Sequence, residues 1–103
     1  MKKLRLLLEY GAYPIWIYDI EECCVIDTKM PDEWENDIEL NDDFIEIQNI
    51  YNSLFVNNEK EFLFIGFRSE EERESFKRKV DAAVKKLYEK NNGVYQIIND
   101  IEF

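Results

Sequence analysis

The chain of 103 residues contains no histidine, which removes Ser-His-Asp and Cys-His catalytic groupings and imidazole metal ligands together. Its two cysteines, Cys23 and Cys24, are adjacent. A vicinal disulfide is strained and closes no useful loop, so two reduced thiols are expected, with no metal or cofactor. Long apolar runs are missing as well: the stretch at Leu4–Leu8 is interrupted by Arg5 and stopped by Glu9, too short for the hydrophobic region of a signal peptide. Nothing approaches the roughly 18 apolar residues of a membrane-spanning helix. A cytoplasmic protein with no membrane contact is the expectation. Glycine and proline are scarce, at three and two residues, with no repeat, low-complexity tract or linker, so residues 1–103 read as one domain.

Apolar material is plentiful. Hydrophobic residues make up 46% of the chain, among them seven Phe, six Tyr and two Trp, enough large side chains for a core, which disordered acidic tails lack. Alternation of Leu4, Leu6 and Leu8 with Arg5, Leu7 and Glu9 predicts a strand over residues 3–9. Pro14-Ile15-Trp16-Ile17-Tyr18 and Cys24-Val25-Ile26 read as the two arms of a hairpin. Leu40, Phe44, Ile47, Tyr51 and Leu54, spaced by four, three, four and three, place one buried stripe on a helix over about 39–55, with Asp37 or Asn41 as its cap. Glu61–Phe67 is apolar on both parities, as in a central strand covered on two sides. Ser69 and Glu72 have the spacing of a capping box. A second helix follows, burying Phe76, Val80, Ala83, Val84 and Leu87, with Lys77, Lys79, Lys85 and Lys86 solvated, and ends at Asn91-Asn92-Gly93. A last strand runs from Val94 to about Ile101. The expected fold is α+β: one mostly antiparallel sheet of four to five strands carrying two helices, in the order β-β-β-α-β-α-β.

Charge is distributed unevenly. The chain carries −10 overall, and residues 19–49 hold twelve acids against Lys29, a local balance of −11, leaving the remainder at +1. Such a block can serve solubility alone, as a solvated face. A calcium loop is disfavoured because Asp32–Glu39 has neither glycine nor alternating oxygen ligands. Asp42 and Glu46, at i and i+4, could act as an acid and base, yet no activating neighbour is evident, and no enzyme is expected. Direct nucleic-acid binding is opposed by the sign of the charge. An acidic surface docking onto a basic protein is the remaining reading, with complementary potential choosing the partner and buried aromatics holding it. Its candidate residues are Trp34 with Glu33, Glu35, Asp37, Asp42, Asp43 and Glu46, joined by Asp19 and Glu22. Trp34 in this arrangement is either an interface anchor or a cover for the end of the core.

The run Glu9-Tyr10-Gly11-Ala12-Tyr13-Pro14-Ile15-Trp16-Ile17-Tyr18-Asp19, Met30-Pro31 before an acidic helix, Asn52-Ser53-Leu54-Phe55 at its end, and Ile65-Gly66-Phe67 before Ser69-Glu70-Glu71-Glu72 and a helix bearing Phe76 resemble the small acidic immunity proteins of bacterial polymorphic-toxin and contact-dependent growth-inhibition systems. One departure is Glu21-Glu22-Cys23-Cys24, where a glycine-containing turn is expected. The resemblance implies a cytoplasmic antitoxin that binds the C-terminal toxin domain of a cognate effector, without catalysis. Where that toxin is a nuclease, its basic cleft would suit a carboxylate-rich inhibitor. The alternatives from residue chemistry are an acidic adaptor or subunit for another cellular protein, and a nucleic-acid mimic.

Overall fold

The computed structural model describes residues 2–19, 24–58 and 60–103. The strands are β1 (Lys2–Leu6), β2 (Ile15–Asp19), β3 (Cys24–Thr28), β4 (Phe55–Asn57), β5 (Phe62–Phe64) and β6 (Gln96–Asn99). The helices are α1 (Ile38–Asn52) and α2 (Glu70–Asn91), and a 3-10 turn at Asp32–Trp34 precedes α1. The fold is α+β in the expected order, with the fourth β element doubled into a short hairpin, β4–β5. The main sheet has the order β3-β2-β1-β6, antiparallel except for the parallel β1–β6 pair, and β4–β5 forms a separate two-stranded sheet.

Period-two patterning decides which side of the main sheet is covered. Leu4 pairs with Ile17 and Leu6 with Ile15, and all four are buried in one cluster with Leu40, Phe44 and Ile47 of α1 and Phe76, Val80, Ala83, Val84 and Leu87 of α2. Both helices therefore share one face. The opposite parity leaves Lys3, Arg5, Trp16 and Tyr18 half-buried on the other face, where Lys3 sits 5.0 Å from the Tyr18 ring centre. Arg5 is held by Asp100 at 2.6 Å, which ties the chain's end to its first strand.

Local signals close the helices. Asp37 caps α1 by accepting the Leu40 amide at 3.0 Å, and Ser69 caps α2 by accepting that of Glu72 at 3.2 Å, each satisfying a backbone donor that the helix itself leaves open. The Glu72 carboxylate reaches the Arg68 amide, one residue before the position a capping box predicts. Asn92, at φ 43°, and Gly93, at φ 81°, end α2 in the left-handed region, where glycine and asparagine are the residues least penalised.

Three expectations are corrected. Helix α1 stops at Asn52 rather than near residue 55, because Ser53 and Leu54 turn the chain into β4. The single sheet is two sheets. Most consequentially, Glu61–Phe67 is no central strand: β1 takes the interior position between β2 and β6, while the 61–65 segment folds back on Leu54–Asn58 and bonds to it at alternate residues. Apolarity on both parities led to the right element type and the wrong address. The bend at Glu21-Glu22-Cys23-Cys24 falls on residues 20–23, outside those described, as does Glu22.

Candidate protein-binding surface

On an α-helix each residue turns the side-chain direction by about 100°, which divides α1 into four sides. Leu40, Phe44 and Ile47 face the core. Asn41, Gln48 and Asn52 face the β1–β2 connection: Asn41 accepts from the Tyr13 hydroxyl at 2.8 Å, Gln48 donates to the Glu9 carbonyl at 2.8 Å, and Asn52 accepts from the Gly11 amide at 2.9 Å. Glu39, Asp43 and Glu46 face α2. Ile38, Asp42, Ile45 and Asn49 face solvent.

The side facing α2 uses up carboxylates that sequence reasoning placed at an interface. Lys86 binds Glu39 at 3.1 Å and Asp43 at 2.9 Å, Lys79 binds Glu46 at 2.7 Å, and Lys90 binds Asp37 at 2.7 Å. The partners run in opposite directions along the two helices, so α1 and α2 are antiparallel and bridged along their length. Hydrogen bonds from Lys90 first, then from the Leu40 amide, hold the Asp37 carboxyl below the usual carboxylate range. Asp43 and then Glu39 raise the Lys86 ammonium by the same logic. Lys79 and Lys86 are thus not the purely solvated lysines their sequence position implies. Lys79 and Lys86, seven apart, face Glu46 and Glu39, also seven apart, and Lys90 reaches Asp37 just before the helix, a complementarity visible only when the two helices are laid side by side. Glu46, committed to Lys79, is not set up as the catalytic partner of Asp42.

A different arrangement holds at the end of β3. Lys29 donates to Asp32 at 2.8 Å, and its pKa is raised by that bond first and by the nearby charges of Asp27 and Glu35 as well. Asp27, Lys29, Asp32 and Glu33 line one shallow cleft of about 150 Å³ with Ile17, Ile26 and Tyr95. Four carboxylates therefore gather round one ammonium. Glu33 accepts the Tyr95 hydroxyl, and burial first, then this carboxylate, pushes the phenol's pKa upward. The Asn91 side chain brackets the Tyr95 backbone with two bonds of 2.8 Å, one to its carbonyl and one from its amide.

Trp34 faces inward, so of its two readings the structure takes the cover for the end of the core and not the exposed anchor. Its side chain is 7% exposed and belongs to the core cluster, with its ring edge-on to Tyr95 at 5.4 Å. Pro31, itself buried, opens the 3-10 turn, which directs Trp34 into the body while Asp32, Glu33 and Glu35 remain outside. The indole mounts the acidic end on the core. Of the remaining candidates, Glu35 is exposed at the end of that turn, Asp42 is exposed beside Tyr13, whose pKa rises from burial first and this charge second, and Asp19 closes β2 opposite Cys24. The structure thus brings Glu33 and Glu35 together with Asp27 and Asp32, and separates them from the bridged set Asp37, Asp43 and Glu46.

Sequence reasoning also missed an apolar surface. Phe62, Leu63, Phe64 and Ile65 are each more than half exposed, and Phe55, Phe62 and Tyr10 form an aromatic group beside them, with Phe55 and Phe62 stacked at 5.2 Å and Tyr10 edge-on to Phe62 at 4.9 Å. Among the described residues no group of three or more Cys, Asp or Glu side chains is placed to hold a metal ion, and no helix is long and apolar enough to cross a membrane. No family model and no curated protein matches the chain.

Proposed function

We propose that this chain is an immunity protein: a cytoplasmic, non-catalytic antitoxin that binds and neutralises the C-terminal toxin domain of a cognate bacterial effector. The partner is a basic domain such as a nuclease. One observation carries the electrostatic half of this reading. While lysines of α2 bridge Asp37, Glu39, Asp43 and Glu46, the β3 end gathers Asp27, Asp32, Glu33 and Glu35 about Lys29. A fixed excess of negative potential at one end orients an incoming cationic surface before contact and raises the association rate. The resemblance to immunity proteins supplies the biological setting, and inhibition requires only that a basic active site be covered.

The reading requires a toxin gene immediately upstream of this one, whose absence would count against it, and co-expression in bacteria with the toxin domain it encodes tests the proposal. The wild-type chain should protect. Substitution of Asp27→Asn, Asp32→Asn and Glu35→Gln together should slow association by roughly tenfold or more at low salt and flatten its dependence on ionic strength. Absence of binding by the wild-type chain would defeat the immunity reading, and an unchanged rate in the triple variant would remove the β3 end from the mechanism.

A further inference from the structure

The β4–β5 hairpin carries a second, independent signal. Its register pairs Phe55 with Phe64, Val56 with Leu63 and Asn57 with Phe62, and the flanking bonds run from Asn58 N to Glu61 O and from Ile65 N to Leu54 O. Hydrogen-bonded and non-bonded pairs alternate along an antiparallel ladder. The bonded pairs therefore fall at 54/65, 56/63 and 58/61, and Phe62 and Phe64 turn their backbone N–H and C=O away from β4. Among the described residues, strand β5 has β4 as its sole neighbour. The outer edge of β5 is thus an open row of hydrogen-bonding groups.

Natural edges are blunted by charge, proline or a covering element. Residues Phe62–Ile65 include neither a charge nor a proline, and both faces are uncovered, with exposures of 56%, 52%, 52% and 56% along the run. The sequence is that of a strand with neighbours on all sides, and the described residues furnish only one. The segment is also held in place. Phe55 is stacked on Phe62, lies 5.1 Å from Phe64 and is edge-on to Tyr51 at 5.2 Å, so little ordering remains to oppose binding. Beside Ile65 a cleft of about 380 Å³ has Ile50, Leu54, Phe67 and Phe76 in its lining and Arg68 among its charged groups, room for side chains of an added strand.

We infer that the outer edge of β5 is the site at which an extended strand of a basic partner protein adds to the β4–β5 sheet. Main-chain bonds to Phe62 and Phe64 supply affinity, and side chains of the added strand pair laterally with the exposed apolar ones of the run. Charge acts on the occupant at long range rather than at the edge, where Arg68 and Lys79 stand against Glu72: two copies of a chain bearing −10 repel one another, whereas a cationic partner is drawn in. The partner's identity as the toxin domain rests on the function proposed above.

The experiment uses the purified full chain and the toxin domain encoded beside its gene. Amide exchange in the wild-type complex should slow by roughly tenfold or more at Phe62 and Phe64, because both acquire an acceptor. Phe64→Pro removes one outward N–H while leaving the 56/63 bonds intact, and should weaken binding by about a hundredfold. The pair Phe62→Thr and Phe64→Thr, which keeps the edge and removes the rings, should weaken it as well. Exchange unaltered at both amides, with wild-type affinity in the proline variant, would overturn the inference alone. Failure of the wild-type chain to bind the toxin would overturn the proposed function and this site with it. A dimer of the chain in high salt, abolished by Phe64→Pro, would assign the edge to a second copy and refute the choice of partner.

Discussion

Two groups of carboxylates from one acidic sequence block end up in opposite circumstances. On α1, Asp37, Glu39, Asp43 and Glu46 each meet a lysine of α2 at 2.7–3.1 Å. At the β3 end, Asp27, Asp32, Glu33 and Glu35 share Lys29. The residue types are the same, and the difference is what lies across from them. Helix α1 has an antiparallel neighbour whose lysines reach its carboxylates, whereas Asp27, Asp32, Glu33 and Glu35 lie exposed. Local net charge in the sequence therefore overstates the acidic surface, and the surplus is concentrated at one end rather than spread over the block. The first group joins two helices, and the second lies exposed at the β3 end around one lysine.

This contrast depends on the acidic end being rigidly mounted, and its largest test is Trp34→Ala. Emptying the space beside Tyr95 should cost about 3–5 kcal/mol of stability, read from urea unfolding. A loss below about 1 kcal/mol would mean that the indole does not bear on the core as described.

Charge removal should separate the two groups more gently. Asp43→Asn with Glu46→Gln should lower the thermal midpoint, and most of the deficit should disappear in about 1 M salt, since partly exposed ion pairs are screened. Asp27→Asn with Glu35→Gln should leave the midpoint unchanged or raise it, because relief of repulsion among four carboxylates offsets the lost attraction to exposed Lys29. Equal destabilisation by both pairs would erase the distinction.

The smallest effect is a pH dependence. The folded-state pKa of Asp37 is depressed by Lys90 and by the cap bond, so its contribution is present above the ordinary carboxylate value and is lost as pH falls through the folded value. Asp37→Asn should therefore be less stable than the wild type at neutral pH, with the gap closing under acid. A gap of constant size down to about pH 2 would show that proton linkage at this carboxylate is absent.

Much of the fold is written locally. Ser69 before Glu72, the stripe from Leu40 to Leu54 and the alternation of Leu4, Leu6 and Leu8 each specify an element through bonds or periodicities within a few residues. Trp16 and Tyr18 likewise fall on the parity opposite Ile15 and Ile17. The candidate site was less legible. Trp34 looks exposed when read among Asp32, Glu33, Glu35 and Asp37, and only the turn after Pro31 points it inward. Glu61–Phe67 looks buried because apolar residues usually are, yet burial requires a second surface, and the short hairpin carries the run away from the main sheet.

The order of elements, the acidic excess and the absence of imidazole chemistry were determined by sequence alone, because propensity, capping and composition act over short distances or over none. Tertiary structure alone decided which carboxylates keep their field and which apolar side chains stay uncovered. Both outcomes depend on what residues distant in the chain bring opposite, Lys86 to Asp43 and Tyr95 to Glu33, and such meetings are fixed by packing rather than by neighbours.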